Sequence, residues 1–256
     1  QVERLKYGKY LIRAQNLNSN LIDPEIAEKI RASVLLTAPL LARLGKVSFP
    51  HPGGCVIGKR PIDQFLDGYK NMDAKVSQKK QLYEINAPRL KGAEFIFSNI
   101  TVTGTESLIM AAALAKGKTT LKNCACEPEV KSLADFLNKC GAKIKGAGTS
   151  FITVNGVAAL RGGSHKTIPD RVEAGSFVIL AAATKSNIII NNCEPKHLDA
   201  ILNMLKKTGT GLKIRKNSVE VIPSGLNSVN IKTHEYPGFP TDLQAQFMAL
   251  MTVANG

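Results

Sequence analysis

A single cysteine stands among glycines and cations in the stretch Pro52-Gly53-Gly54-Cys55-Val56-Ile57-Gly58-Lys59-Arg60-Pro61-Ile62-Asp63. Cationic neighbours favour thiolate over thiol, and a loop leaves the sulfur open to a substrate. Arg60 offers a planar fork that matches a phosphate or a carboxylate. The glycines let the backbone turn sharply and let a ligand approach where a Cβ would otherwise stand. The stretch therefore reads as an anion site with a reactive thiol. The plainer reading is a glycine-rich turn with an incidental Cys. Arg31 is the second polar residue of interest, because it borders the apolar run Val34-Leu35-Leu36-Thr37-Ala38-Pro39-Leu40-Leu41-Ala42. An Arg on a buried side calls for an anionic partner, either a structural carboxylate or a bound phosphate.

Composition narrows the classes of function. The 256 residues carry 34 Lys and Arg against 20 Asp and Glu, a net charge of +14. A basic chain invites a nucleic-acid reading. Against it, the cations are spread out, with only short pairs such as Lys79-Lys80 and Lys206-Lys207, and there is no Trp. Helix-turn-helix, zinc-finger and RNP signatures are lacking too. No nucleic-acid partner is expected, and the excess charge suits small polyanionic substrates and solubility. Five cysteines, at 55, 124, 126, 140 and 193, make an odd number, which argues for reduced thiols and a cytoplasmic location. Cys124-Ala125-Cys126 has no second pair or His cluster to complete a zinc site, so no metal is expected. No apolar run is long enough to cross a bilayer. Gln1 to Tyr10 is polar and charged, so neither a signal peptide nor a membrane partner is expected. The chain lacks an initiator Met and stops just after an apolar helical run; both ends read as cut, and a fragment is expected.

The elements that must hold these residues recur. Asp23-Pro24-Glu25-Ile26 opens a helix with a cap, a first-turn Pro and a dipole-matched acid. That helix is expected to run through Ile30-Arg31-Ala32-Ser33 to Ala42. Pro61 to Tyr69 reads as a helix start and Leu82-Tyr83-Glu84-Ile85 as a strand. From Ser107 comes a small-residue helix, then a strand at Thr119 to Asn123, a helix opened by Glu127-Pro128, and two strands around Lys143-Ile144 and Phe151 to Val154. The same order returns from Ser176, 69 residues on. Ser33 opens an earlier copy, and Gln246 to Leu250 a fourth. Units of about 70 residues are too long for a solenoid. They suggest a βαβ-type unit with two helices, in an α/β or α+β class. Between strand and second helix the later copies have only Cys124-Ala125-Cys126, or Cys193 alone. The first copy has expanded this link to carry the Cys55 loop, and an enlarged loop on a repeated scaffold is where function is placed.

Five segments occur in an order that resembles a known family: Arg31-Ala32-Ser33, the Cys55 loop, Ile100-Thr101-Val102-Thr103-Gly104-Thr105-Glu106, Pro169-Asp170-Arg171, and Phe239-Pro240-Thr241-Asp242-Leu243-Gln244-Ala245-Gln246. They closely resemble the UDP-N-acetylglucosamine 1-carboxyvinyltransferase family of enolpyruvyl transferases, over essentially the whole chain. The sister family acting on shikimate 3-phosphate shares the repeated fold but not this Cys loop. The resemblance implies an inside-out α/β barrel of two lobes, each of three units. Residues 1–167 would be most of the first lobe, with the loop at 50–63, and 168–256 the start of an incomplete second.

The implied reaction moves the enolpyruvyl group of phosphoenolpyruvate to the 3′-hydroxyl of UDP-N-acetylglucosamine, releasing phosphate, as the first committed step of peptidoglycan synthesis. No cofactor is implied, and the partners are the two small substrates. By resemblance Cys55 is the proton donor, on a loop that closes over the substrates, and the fosfomycin target. Asp242 is the general base, although Thr241 or Asp242 also reads as a helix cap. Arg31 and Arg60 would neutralise phosphoenolpyruvate. Pro61, Ile62, Asp63 and Gln64 match a uridine-contacting segment, and Asn99, Ile100, Thr101 and Val102 a second nucleotide-sugar stretch. Gln64 and Phe65 stand where many members have Leu and His, and Asn99 where some have Lys. The family's Lys-Asn pair would precede Gln1 and its C-terminal arginines would follow Gly256, so this chain alone is expected to be inactive. The rival readings are a truncated, non-catalytic nucleotide-sugar binder and a basic nucleic-acid binder.

Overall fold

The computed structural model describes residues 1–54 and 61–256; the expectations for Cys55, Lys59 and Arg60 lie outside the described residues. The chain divides into two compact units. One comprises Gln1–Phe95, Thr103–Leu121 and Thr153–Leu160, the other Ile96–Val102, Lys122–Ile152 and Arg161–Gly256. The fold is mixed α/β.

In the first unit, β1 (Val2–Lys6) and β2 (Lys9–Ile12) form an antiparallel hairpin. The long helix expected from Asp23 onward is instead broken into three pieces. Asp23 caps as read, its side chain accepting from the Glu25 amide, but α1 covers only Pro24–Ala27. A 3-10 segment follows at Arg31–Leu36, and α2 begins at Thr37 and ends at Leu44. The break has a local cause. The Ala27 carbonyl is taken by the Gly53 amide at 3.0 Å and the Ser33 hydroxyl at 3.1 Å, so the backbone there satisfies the incoming loop as well as its own helix. Gly45, left-handed at φ 71°, then closes α2 by donating to the Leu41 carbonyl, as a C-terminal glycine does.

The strand β3 (Lys46–Pro50) leads into the loop, and α3 (Asp63–Asn71), β4 (Lys75–Lys79) and β5 (Leu82–Asn86) follow it. The sheet runs β3-β5-β4, with Val47 opposite Ile85 and Val76 opposite Ile85 on the other edge. Both pairings are antiparallel. The expected βαβ-type unit is thus built with antiparallel pairing: the hairpin folds its second strand back into the centre of the sheet. After β6 (Glu94–Ile96) comes α4 (Val102–Ala113), then β7 (Lys118–Lys122). The helix α4 is buried almost all round, as its Ala, Gly and Ser content allows, and Gly68 of α3 approaches Leu108 so closely that a Cβ would sit 2.3 Å from Leu108 Cδ1. Tyr69, fully buried, shares a 2.9 Å hydrogen bond with Thr37, and burial raises the phenol's pKa.

In the second unit, α5 (Pro128–Lys139) follows the expected Glu-Pro opening, and Asn138 clamps the backbone of β8 (Lys143–Lys145) through both the Ile144 amide and carbonyl. After β9 (Phe151–Asn155) the third copy appears as α6 (Arg171–Ala183), β10 (Ile188–Asn191), α7 (Asp199–Lys207), β11 (Gly211–Ile214) and β12 (Ser218–Ile222). Its sheet order, β10-β12-β11, repeats that of the first copy. Val178, Ile201, Leu205, Val219 and Val221 form its core, joined by Leu243, Phe247 and Leu250 from the turn at Thr241–Leu243 and α8 (Gln244–Met251).

Two outcomes follow from this packing. A Cβ on Gly53 would lie 1.5 Å from the Glu28 carbonyl oxygen, whereas one on Gly162 meets nothing within 4 Å. Gly53→Ala should lower unfolding free energy by roughly 1–3 kcal/mol, and Gly162→Ala by no more than about 0.5 kcal/mol, as measured by urea titration. Burial also pushes the Cys124 thiol up to about 12 from 9.0. A pKa raised in the folded state adds stability that is complete below the unfolded value and is lost as pH climbs from about 9 toward about 12. The urea midpoint should fall across that window, and fall less steeply in Cys124→Ala.

Candidate active site

The flanks of the Cys55 loop are held by the first unit. Gly54 has φ +120° and lies against Arg31, where an added Cβ would stand 3.0 Å from Arg31 Cβ. The Arg31 guanidinium donates through Nη2 to the Pro61 carbonyl at 3.0 Å. The glycines thus serve close packing on α1 and Arg31, beyond the turning and ligand approach expected of them. Arg31 and Pro61, both predicted site residues, are brought together. Asp63 and Gln64 lie in the first turn of α3. The Ile62 side chain is 2% exposed, so what it offers a ligand is backbone. Cys55 and Arg60 lie outside the described residues.

In the second unit, Asn99 is exposed and Ile100, Thr101 and Val102 are half-buried. Val102 and Asp242 line one cavity of about 380 Å³, within the size range of small-molecule sites. Asp242 is exposed, in the turn Thr241–Leu243. Neither Thr241 nor Asp242 caps a helix: Pro240 and Leu243 occupy the cap positions, and neither makes a side-chain cap bond. The capping reading is corrected, and the Asp242 carboxylate is left to face the cavity.

Packing fixes where that carboxylate stands. Leu243 is fully buried, and Gly175 of α6 approaches it so closely that a Cβ would lie 2.6 Å from Leu243 Cδ1. Phe239 meets Phe247 edge-on at 5.2 Å, a favoured aromatic geometry. Gln246 donates to the Ser176 hydroxyl at 3.1 Å. The segment before Asp242 closes on itself through His234 N–H to the Phe239 carbonyl, 2.9 Å, and Gly238 N–H to the Glu235 carbonyl, 2.7 Å.

Opposite chemistry lines the same cavity. Asp170 caps α6, accepting from the Val172 and Glu173 amides at 2.8 and 3.0 Å, and so fixes Arg171 at the helix start. Arg171 Nε donates to Glu129 Oε1 at 3.1 Å. Its guanidinium carbon lies 5.6 Å from the Tyr236 ring centroid, within cation–π range. Burial raises the Tyr236 phenol's pKa, Asp199 adds to the rise, Arg171 opposes it, and Glu129 and Glu127 reinforce it. Glu127 lines the cavity at 6% exposure. The resulting surface combines carboxylate acceptors, one anchored guanidinium and an aromatic wall.

Sequence reasoning used Glu127 only as a helix opener and Arg171 only as part of a motif, and it missed Tyr236. One signal was available. A cation at a helix start opposes the helix dipole, so Arg171 needed an acid nearby. Among the described residues, no group of three or more His, Cys, Asp or Glu could hold a metal ion, and no helix is long and apolar enough to cross a membrane.

Residues 1–256 match the family model described as EPSP synthase (3-phosphoshikimate 1-carboxyvinyltransferase). The chain is 46% identical to the UDP-N-acetylglucosamine 1-carboxyvinyltransferase of Koribacter versatilis, over 98% of this chain and 59% of that protein. It is 47% identical to the protein of that name from Desulfosudis oleivorans, over 96% and 59%. The chain thus spans 59% of the length of these curated relatives. Among solved structures, the enolpyruvyl transferase NikO from Streptomyces tendae superposes with a TM-score of 0.79 at 18% identity, over 93% of this chain and 57% of that one. EPSP synthase from Acinetobacter baumannii gives 0.58, also at 18% identity, over 78% and 48%. At that identity these two speak to fold alone.

The seating of Leu243 gives a direct test of how Asp242 is placed. Gly175→Ala should lower stability by roughly 1–3 kcal/mol. It should also speed hydrogen exchange of the Leu243 amide, which donates to the Pro240 carbonyl at 3.1 Å, more than that of the α7 amides.

Proposed function

Because the chain belongs to the EPSP synthase family along its whole length, we propose that it is part of an enolpyruvyl transferase acting on phosphoenolpyruvate and UDP-N-acetylglucosamine. The relatives at 46–47% identity bear that activity in their names. The geometric observation that carries the reading is Asp242, which caps no helix and stands at the cavity that Val102 also lines.

Addition to the enol phosphate forms a carbon–oxygen bond between the sugar 3′-hydroxyl and C2, while a proton reaches the methylene carbon. Elimination then breaks the C2–O bond to phosphate, and a proton leaves the same carbon to restore the double bond. Cys55 delivers the first proton and Asp242 accepts the hydroxyl's. Arg31 and Arg60 neutralise the phosphate and carboxylate of phosphoenolpyruvate, which is electrostatic stabilisation of the kind that dominates such reactions. Pro61 to Gln64 and Asn99 to Val102 hold the nucleotide sugar. In the finer architecture, residues 1–167 belong to one lobe of an inside-out α/β barrel and 168–256 open the other. The protein works in the cytoplasm on these two small substrates, without a cofactor, a nucleic acid or a membrane, and turnover requires the whole protein rather than this chain.

Fosfomycin should alkylate Cys55, read by peptide mass spectrometry, and UDP-N-acetylglucosamine should accelerate the labelling. In the whole protein, Asp242→Asn should slow phosphate release by about 10²–10⁴-fold. Labelling indifferent to the nucleotide sugar, or full activity in Asp242→Asn, overturns the reading. Salt-sensitive binding of DNA or RNA in place of the nucleotide sugar would favour the nucleic-acid alternative.

A further inference from the structure

Glu127 is the carboxylate that this scheme leaves idle. Its backbone is fixed, since its carbonyl accepts from the Val130 and Lys131 amides at 3.0 and 3.3 Å to start α5. It occupies the N-cap position, yet its side chain makes no cap bond. It is 6% exposed, lines the Asp242 cavity, and its Oε2 is buried with no hydrogen-bond partner among the described residues. Buried polar atoms are nearly always paired, and an unpaired acceptor is costly to keep. The adjacent cation does not serve it: Arg171 gives its Nε to Glu129. The missing donor must therefore come from what fills the cavity.

We infer that Glu127 is a second substrate-binding carboxylate, accepting a hydrogen bond from a neutral donor on the sugar ring other than the reacting hydroxyl. This rests on the nucleotide-sugar reading. Asp242 and Glu127 then grip two donors of one ring, which fixes the ring's rotation and so which hydroxyl is presented for attack. A neutral donor suits the place, because Arg171 would repel an ammonium and the Tyr236 phenol already feels Glu127, Glu129 and Asp199 together, an environment hostile to a phosphate.

The test compares UDP with UDP-N-acetylglucosamine by calorimetry on the whole protein, in wild type, Glu127→Ala and Glu127→Gln. Glu127→Ala should weaken UDP-N-acetylglucosamine by at least about tenfold and leave UDP unchanged, which also shows that the variant is folded. Glu127→Gln keeps an acceptor oxygen and should restore most of the loss. Equal weakening of both ligands assigns Glu127 a structural role. No weakening of either means that water alone fills the position. Both outcomes overturn the inference while leaving the transferase reading standing. Wild type that binds neither ligand overturns the nucleotide-sugar reading, and this inference with it.

Discussion

Arg171 stands in the first turn of α6, where aligned peptide dipoles oppose a cation, and the second unit is arranged to keep it there. Asp170 caps the helix so that the residue after it points one way. Glu129, in the first turn of α5, accepts its Nε–H, with the Arg171 side chain only 12% exposed. The Tyr236 ring covers its face. A guanidinium this far from water holds its place only when paired, so one cation ties the start of α6, the start of α5 and the 233–242 segment to a common point. Removing the charge would strand Glu129, whose second oxygen is already without a partner among the described residues.

Beneath that polar layer, α6 does the mechanical work. Its small residues let other elements come close: Gly175 admits Leu243, and Ser176 receives Gln246. An exposed carboxylate on a short turn would wander if only its own backbone held it. Asp242 is flanked instead by the buried Leu243 and, three residues back, by Phe239 wedged on Phe247, so its position is set by core packing. The first unit treats the Cys55 loop in the same way. Gly53, on one side of residues 55–60, is bonded to Ala27, and Pro61, on the other, to Arg31, with Ile62 sunk in the core. In both units a repeated scaffold fixes the residues that flank a candidate site loop.

What was legible in the sequence follows from range. The Ala-rich helices, the β-branched strands at 188–191 and 218–222, and the Glu-Pro opening of α5 are local signals, and they stand where expected. Helices α4 and α6 begin about five residues earlier than their apolar runs; at α6 the Asp170 side-chain cap fixes the earlier start. Strands β3 and β4 were not expected: Lys75 to Lys79 is polar on an edge, and Lys46 to Pro50 ends in a residue that strands disfavour. The antiparallel pairing within each unit was not legible, because alternation of helix and strand does not reveal which hairpin strand takes the centre. Asp242 came from resemblance and its capping role from local pattern, and the capping role is overturned by Pro240 and Leu243 standing at the cap positions. Glu127 and Tyr236 carry no local mark; their part depends on contacts about 40 to 110 residues apart in sequence.

The charge of the chain and the charge of the cavity point in opposite directions, and both have a use. Most lysines are solvent-exposed, several in helix-spaced pairs such as Lys70 with Asp67 at 2.8 Å and Lys131 with Asp135 at 2.6 Å, which contribute little to stability. The surplus acts at a distance, where a net +14 raises the local concentration of anions such as phosphates. Around Tyr236 the balance reverses, with the carboxylates of Glu127, Glu129 and Asp199 set against the guanidinium of Arg171. A phosphate drawn by the long-range field would be turned away at that spot, whereas a hydroxyl or amide N–H would find acceptors waiting. A ligand with a charged tail and a neutral, donor-rich head would therefore be oriented at this cavity by its head, which the carboxylates accept while they turn the tail away.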